Sequence, residues 1–221
     1  MTGLALPLDR YATDPALKPI AKKVMAGERL SFEDGLALYG TRDLVGLGAM
    51  AHHQRLKRHG LKTFFVQSRR LSYTNICYTQ CQFCAFQAKP GDPRAYVLSA
   101  DDIVKDLTDP KNRGVRELHM VAGHYPKLKI EYFEDLFRKL KENFPDLHLK
   151  VFTMVEMGYY AKNSGLSVEE FLDRCVAAGL ESCPGGGAEI FDAEIREKIC
   201  VGKKDADIWI QNAEICHARG V

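Results

Sequence analysis

Three of the chain's seven cysteines fall within eight residues, in the run Asn75-Ile-Cys77-Tyr-Thr-Gln-Cys81-Gln-Phe-Cys84. Such a loop must bring three thiols together, and so it constrains whatever folds around it. Zinc ribbons use two C-x2-C pairs, and a bacterial ferredoxin run supplies a fourth thiolate close by. Neither pattern is present. Thiolates at C-x3-C-x2-C spacing can ligate three irons of one [4Fe–4S] cube and leave the fourth iron open to a ligand. A structural zinc site would need a further ligand nearby, and none is obvious. The cysteine total is odd, and the first residues show no basic start before an apolar stretch. A disulfide framework is therefore not expected, and a reducing cytoplasm is. Cys175, Cys183, Cys200 and Cys216 lie among apolar neighbours and read as small buried hydrophobes.

Composition narrows the partners. The 31 basic and 29 acidic residues leave a formal charge of +2, which makes no electrostatic case for nucleic acid or an acidic membrane. With 46% apolar residues in 221, the chain can bury a core. No apolar run approaches the ~18 residues of a membrane span.

Two stretches differ in rhythm. Residues 1–62 read as a helical segment, with a capping box at Ser31-Phe-Glu-Asp34 and a second helix from Leu44 to about Arg58. Residues 63–221 alternate strands and helices, which implies βα units and a parallel sheet. Strands are expected at Thr63–Val66, Leu71–Thr74, Glu117–Ala122, Leu147–Thr153 and Leu180–Cys183. Helices are expected after Ser99, over Glu131–Phe144, after Ser167, near Ala193–Ile199 and over 205–219. Gly220 reads as a helix stop and Val221 as the opening of a further strand. A complete eight-stranded barrel takes about 250 residues. The expectation is an α/β fold: the front part, about four strands, of a TIM-type barrel behind a helical extension.

The cysteine spacing after a strand, with Phe83 just before the last cysteine, resembles the radical S-adenosylmethionine (radical SAM) superfamily. Tyr73-Thr-Asn-Ile-Cys77, Cys81-Gln-Phe-Cys84-Ala-Phe86 and Pro184-Gly-Gly-Gly-Ala-Glu-Ile190 resemble its menaquinone (futalosine) and deazaflavin branch. Glu117-Leu-His-Met-Val121, Lys150-Val-Phe-Thr-Met-Val-Glu156 and Ala188-Glu-Ile-Phe191 are most similar to the aminofutalosine synthases.

That resemblance implies a [4Fe–4S] cluster on Cys77, Cys81 and Cys84, with S-adenosylmethionine chelated at the open iron. One electron, from a donor such as flavodoxin or ferredoxin, would release methionine and a 5′-deoxyadenosyl radical. In that family the radical adds to 3-[(1-carboxyvinyl)oxy]benzoate and yields 6-amino-6-deoxyfutalosine. Phe83 would pack near cluster and adenine. Ala122-Gly123 stands where the superfamily has a glycine-rich turn for the methionyl amino group, with Ala122 replacing the first glycine. Glu156 would face the ribose or the substrate, and Gly185, Gly186 and Gly187 would let backbone approach the cofactor. His119, His124 and Arg196 are candidate substrate contacts. Two rivals share the motifs: dehypoxanthine futalosine cyclase and the second subunit of FO synthase. A non-enzymatic rival is an iron–sulfur electron carrier.

Overall fold

The structure is a computed structural model that describes residues 8–203 and 206–221. It divides into two compact units, Met1–Phe65 and Val66–Val221.

The first unit is helical: α1 (Leu8–Tyr11), α2 (Leu17–Ala26), α3 (Phe32–Gly40) and α4 (Leu44–His59). Leu17, Ile20, Ala21 and Val24 recur at helical spacing on one face of α2 and are buried with Leu8, Ala12 and Met50. The Ser31–Asp34 capping box forms as expected and opens α3. Asp43 caps α4 and fixes the preceding turns. It accepts hydrogen bonds from the backbone of Gly46 (2.8 Å), Thr13 (2.6 Å) and Asp14 (3.0 Å). These donors, Gly46 foremost, hold its carboxyl at about 2, below the ordinary 3.8. The stabilisation is therefore complete above about pH 4 and is lost as pH falls through about 2. Thermal melts at stepped pH should show an Asp43→Asn variant less acid-sensitive across that window. Superimposable acid profiles would contradict this linkage.

The second unit contains β1 (Ser68–Leu71), β2 (Gln80–Cys81), α5 (Ala100–Thr108), β3 (Glu117–Met120), α6 (Ile130–Asn143), β4 (His148–Val151), α7 (Met154–Asn163), α8 (Val168–Ala178), α9 (Ala193–Ile199), β5 (Cys200–Val201) and α10 (Ala206–Ala218). Its main sheet is parallel, in the order β1-β3-β4. Arg70 stands beside His119, and His119 beside Lys150. Leu118, Met120, Leu149 and Val151 alternate onto the buried face. There they join Ile103 and Leu107 of α5, Phe133, Leu136, Phe137 and Leu140 of α6, and Phe171 and Leu172 of α8 in one core. A bidentate ion pair from Arg69 to Asp106, both contacts 2.8 Å, ties β1 to α5. The other face is polar, and Lys150 pairs with Glu117 at 2.8 Å.

Several expected elements are shorter or displaced. Thr63–Val66 has no strand partner and is exposed. The first strand is Ser68–Leu71, and beyond it Thr74 makes only an isolated bridge to Val97. Leu180–Cys183 is reduced to one bridge, Ser182 to Lys150. Pro184 has no N–H to extend that ladder, and Gly185 turns away with φ +70°. The strand expected to run to Thr153 stops at Val151, because Phe152 adopts φ +70° and Thr153 caps α7. Gly220, at φ +73°, ends α10 as expected, but Val221 is not in a strand. Its N–H instead donates to Cys216 O (3.0 Å).

Candidate functional site

The site is built where the parallel strands end. β1 leads through Tyr73–Ile76 into the cysteine loop, and β3 leads into Ala122–Gly123–His124. β4 leads into the cap of α7, and the Ser182 bridge into Gly185–Gly187.

Backbone pairing fixes the cysteine loop from two sides. Cys77 N–H donates to Ala88 O (3.1 Å) and Tyr78 N–H to His124 O (3.1 Å). β2 pairs antiparallel with β5, so Cys81 faces Cys200 across the ladder. Gln82 continues the clasp, its N–H on Ile199 O (2.9 Å) and its side-chain amide on Lys198 O (2.7 Å). Cys77 Sγ accepts the His124 N–H at 3.3 Å. Burial pushes the Cys81 thiol up to about 11, although Lys203 pulls the other way. Phe83 is exposed, with Lys203 Nζ 5.6 Å from its ring centroid.

Gly123 is required by close packing. A Cβ there would lie 2.2 Å from Ile76 O and 3.0 Å from Cys77 Cβ. The obstacle is backbone, so a Gly123→Ala variant must displace the cysteine loop. Overpacking of this kind costs about 1–3 kcal/mol. We expect a lower denaturation midpoint together with reduced iron uptake on reconstitution. Unchanged stability and iron content would show that the loop yields freely.

The carboxylate of Glu156 is fully enclosed. Oε1 accepts from Tyr73 OH (2.8 Å) and Ala122 N–H (2.8 Å), and Oε2 from Thr153 N–H (2.8 Å). Burial pushes its pKa up, while these donors pull it back. The residue therefore joins the ends of β1, β3 and β4 through hydrogen bonds. Tyr160 OH donates to Gly123 O at 2.5 Å and braces the same turn.

The remaining candidates are placed as follows. His124 is buried, with Nδ1 2.6 Å from Thr79 Oγ1 and its ring stacked on Tyr159 at 4.6 Å. Burial, aided by Lys203, lowers it to about 4, so it is neutral near pH 7. His119 lies half-buried on the polar sheet face between Arg70 and Lys150, and burial followed by those cations lowers its pKa. Arg196 is buried and donates to Ala188 O and to Ile190 O (2.9 Å), holding the chain just past the glycine run. Gly185 and Gly187 adopt φ +70° and +91°. Gly186 O accepts from Met154 N–H (3.3 Å) and from the Trp209 indole (3.1 Å). Contacts thus join Cys77, Gly123 and His124 in one group, and Ala122, Glu156 and Thr153 in another. His119 and Arg196 make their contacts elsewhere. Lys203 and Tyr160 carry no motif in the sequence, and Tyr73 stands there only as the head of the Tyr73–Cys77 run. The β5 turn that carries Lys203 had no local signal except Gly202.

A family model for the radical SAM superfamily matches residues 71–221. The chain belongs to the radical SAM superfamily. It is 45% identical over 212 residues to an aminodeoxyfutalosine synthase of Thermus thermophilus, covering 96% of this chain and 57% of that protein. It is 39% identical over 209 residues to the Streptomyces coelicolor aminodeoxyfutalosine synthase, covering 94% and 54%. A cyclic dehypoxanthine futalosine synthase of Halalkalibacterium halodurans is 40% identical over 192 residues, covering 86% and 52%. The chain thus spans about half the length of the curated relatives it matches. Among solved structures it shares its fold with methylornithine synthase PylB (TM-score 0.63, 19% identity, 91% of this chain and 56% of that one). It also shares it with a HydG maturase of the [FeFe]-hydrogenase (TM-score 0.69, 14% identity, 97% and 46%). Among the described residues no helix is long and apolar enough to cross a membrane.

Radical SAM proteins use a [4Fe–4S] cluster and S-adenosylmethionine, and the residues present fit that cluster. A cube takes one thiolate at each of three corners, the number of cysteines the loop supplies. All three loop cysteines are outside disulfides, and Cys77 already accepts an N–H as a cluster thiolate would. Cluster binding needs thiolates, and burial pushes the Cys81 thiol up, so binding would release its proton.

Proposed function

We propose that this protein joins the 5′-deoxyadenosyl group of S-adenosylmethionine to 3-[(1-carboxyvinyl)oxy]benzoate, giving 6-amino-6-deoxyfutalosine for menaquinone biosynthesis. The observation that carries the reading is the 45% identity to an aminodeoxyfutalosine synthase along nearly the whole chain. Arg70, beside His119 on the polar sheet face, supports an acidic substrate, while Lys150 next in the row pairs with Glu117.

Cys77, Cys81 and Cys84 hold the cluster, which when bound supplies the electron that cleaves the sulfonium. The chain's own residues bind and orient. The Ala122–Gly123 backbone receives the methionyl amino group, held there by Glu156 and Tyr160. Phe83 shields the cluster side, and Gly185–Gly187 admit the cofactor closely because no side chain intervenes. Glu156 serves the ribose side by fixing Ala122 and Thr153. His119, His124 and Arg196 shape the substrate side. Excluding water and stray hydrogen donors protects the radical. Electrons come from a small carrier such as flavodoxin or ferredoxin.

The test is anaerobic reconstitution with iron and sulfide, then mass analysis after adding S-adenosylmethionine, reductant and the enol-ether benzoate. A covalent adenosine adduct supports the synthase. The similarity to a cyclic dehypoxanthine futalosine synthase favours a second reading. Free 5′-deoxyadenosine with a cyclised futalosine-derived substrate would establish that one instead. A cluster inert to S-adenosylmethionine would leave only an electron carrier.

A further inference from the structure

The geometry points to Lys203 as a fixed positive charge that sets the reduction potential of the cluster held at Cys77, Cys81 and Cys84. This goes beyond the proposed substrate and does not depend on it.

Lys203 follows β5 directly after Gly202, which turns the chain with φ +83°. Its own N–H closes that turn on Cys200 O (2.9 Å). Because Cys200 pairs with Cys81, the turn is fixed in register with the cysteine loop. The side chain is only 11% exposed. Its Nζ lies over Phe83, the residue immediately before Cys84, and pairs with Glu189 Oε1 at 2.5 Å. Glu189 is held with φ +54°, a conformation few non-glycine residues adopt. An anion on the glycine-loop side therefore anchors a cation on the cysteine side.

The cation stands beside the cysteine loop: Nζ lies 5.6 Å from the ring centroid of Phe83, one residue before Cys84, and its turn is held to Cys81 through Cys200. A cube on three thiolates gains negative charge on reduction. A nearby cation stabilises the reduced form and raises the potential, and net charge and solvent exposure are the levers known to set it. An exposed lysine would be screened; one shielded from water is screened much less. The other role open to Lys203 is that of a strut between two loops, and a strut has no reason to respond to the sign of the charge.

The experiment is a redox titration of the reconstituted protein, followed by the electron spin resonance of the reduced cluster. Lys203→Met should lower the reduced-to-oxidised ratio at fixed poise about tenfold, which is about 59 mV for one electron. Lys203→Arg should restore most of that shift. Glu189→Gln removes the counter-charge and should move the potential the opposite way. Opposite signs for Lys203→Met and Glu189→Gln uphold the assignment. Shifts of the same sign, or no shift in either, overturn it. If Lys203→Met assembles no cluster, Glu189→Gln decides: a positive shift upholds the assignment, and any other result overturns it.

Discussion

A Cys81→Ala protein should emerge from anaerobic reconstitution without the brown colour of a cluster, and should leave S-adenosylmethionine intact. The substitution removes one of the three corner ligands of the loop, and a parallel Cys81→Ala/Cys200→Ala protein also removes the thiol that faces it across the ladder. Disturbing an outer partner of a metal site costs roughly 10–100-fold in affinity, and losing a ligand should exceed that. The fold should survive, because the clasp of Gln80–Cys81 on Cys200–Val201 is made by backbone groups that alanine retains. Cys175→Ala is the informative control. Cys175 is buried in the main core and remote from the loop pairing. It should keep the cluster and lose about 1 kcal/mol or more of stability to the small cavity left behind. Iron content, visible absorbance and a denaturation curve on both variants separate the two effects. A cluster spectrum retained in Cys81→Ala would break the ligand assignment.

The residues that were legible in the sequence are those whose chemistry is local. Ser31, Ser99 and Ser167 each announce a helix because the cap and its reciprocal carboxylate lie three residues apart. The cysteine loop was legible for the same reason, since its ligand spacing is set along the chain. Thr153-Met-Val-Glu156 carries the identical capping signature. That signature opens α7, and the one carboxylate of Glu156 both caps the helix and ties the strand ends. β2 and β5 were illegible because each is two residues long and exists through pairing between segments distant in sequence. Nothing local in the sequence marks Lys203. Its burial comes from Glu189 and Phe83, which only the folded chain brings to it. Arg196 is buried on α9 and donates to the carbonyls of Ala188 and Ile190, contacts that its position in the helix pattern does not reveal.

Glu156→Ala should be among the most destabilising single changes in the second unit. It strands Tyr73 OH and the N–H groups of Ala122 and Thr153, and removes the reciprocal cap of α7. A buried donor left without a partner costs about 1–3 kcal/mol. Tyr73 OH keeps Tyr160 beside it and Ala122 and Thr153 are half-buried, so the loss should be about 2–3 kcal/mol, a large part of the 5–15 kcal/mol typical of a folded domain. Glu156→Gln supplies the contrast. Its amide oxygen can still accept from Tyr73 and Ala122, but its NH2 faces the Thr153 N–H, donor against donor. That variant should lose about 1–2 kcal/mol. The order Ala worse than Gln worse than wild type, read from denaturant midpoints at unchanged slope, follows from which oxygen serves which donor. The consequence for the site follows the same bonds. Ala122 N–H is positioned by Glu156, so both variants should weaken S-adenosylmethionine binding in that order while iron content stays near normal. Equal stability of the two variants would mean that the carboxylate's hydrogen bonds do not hold the strand ends together.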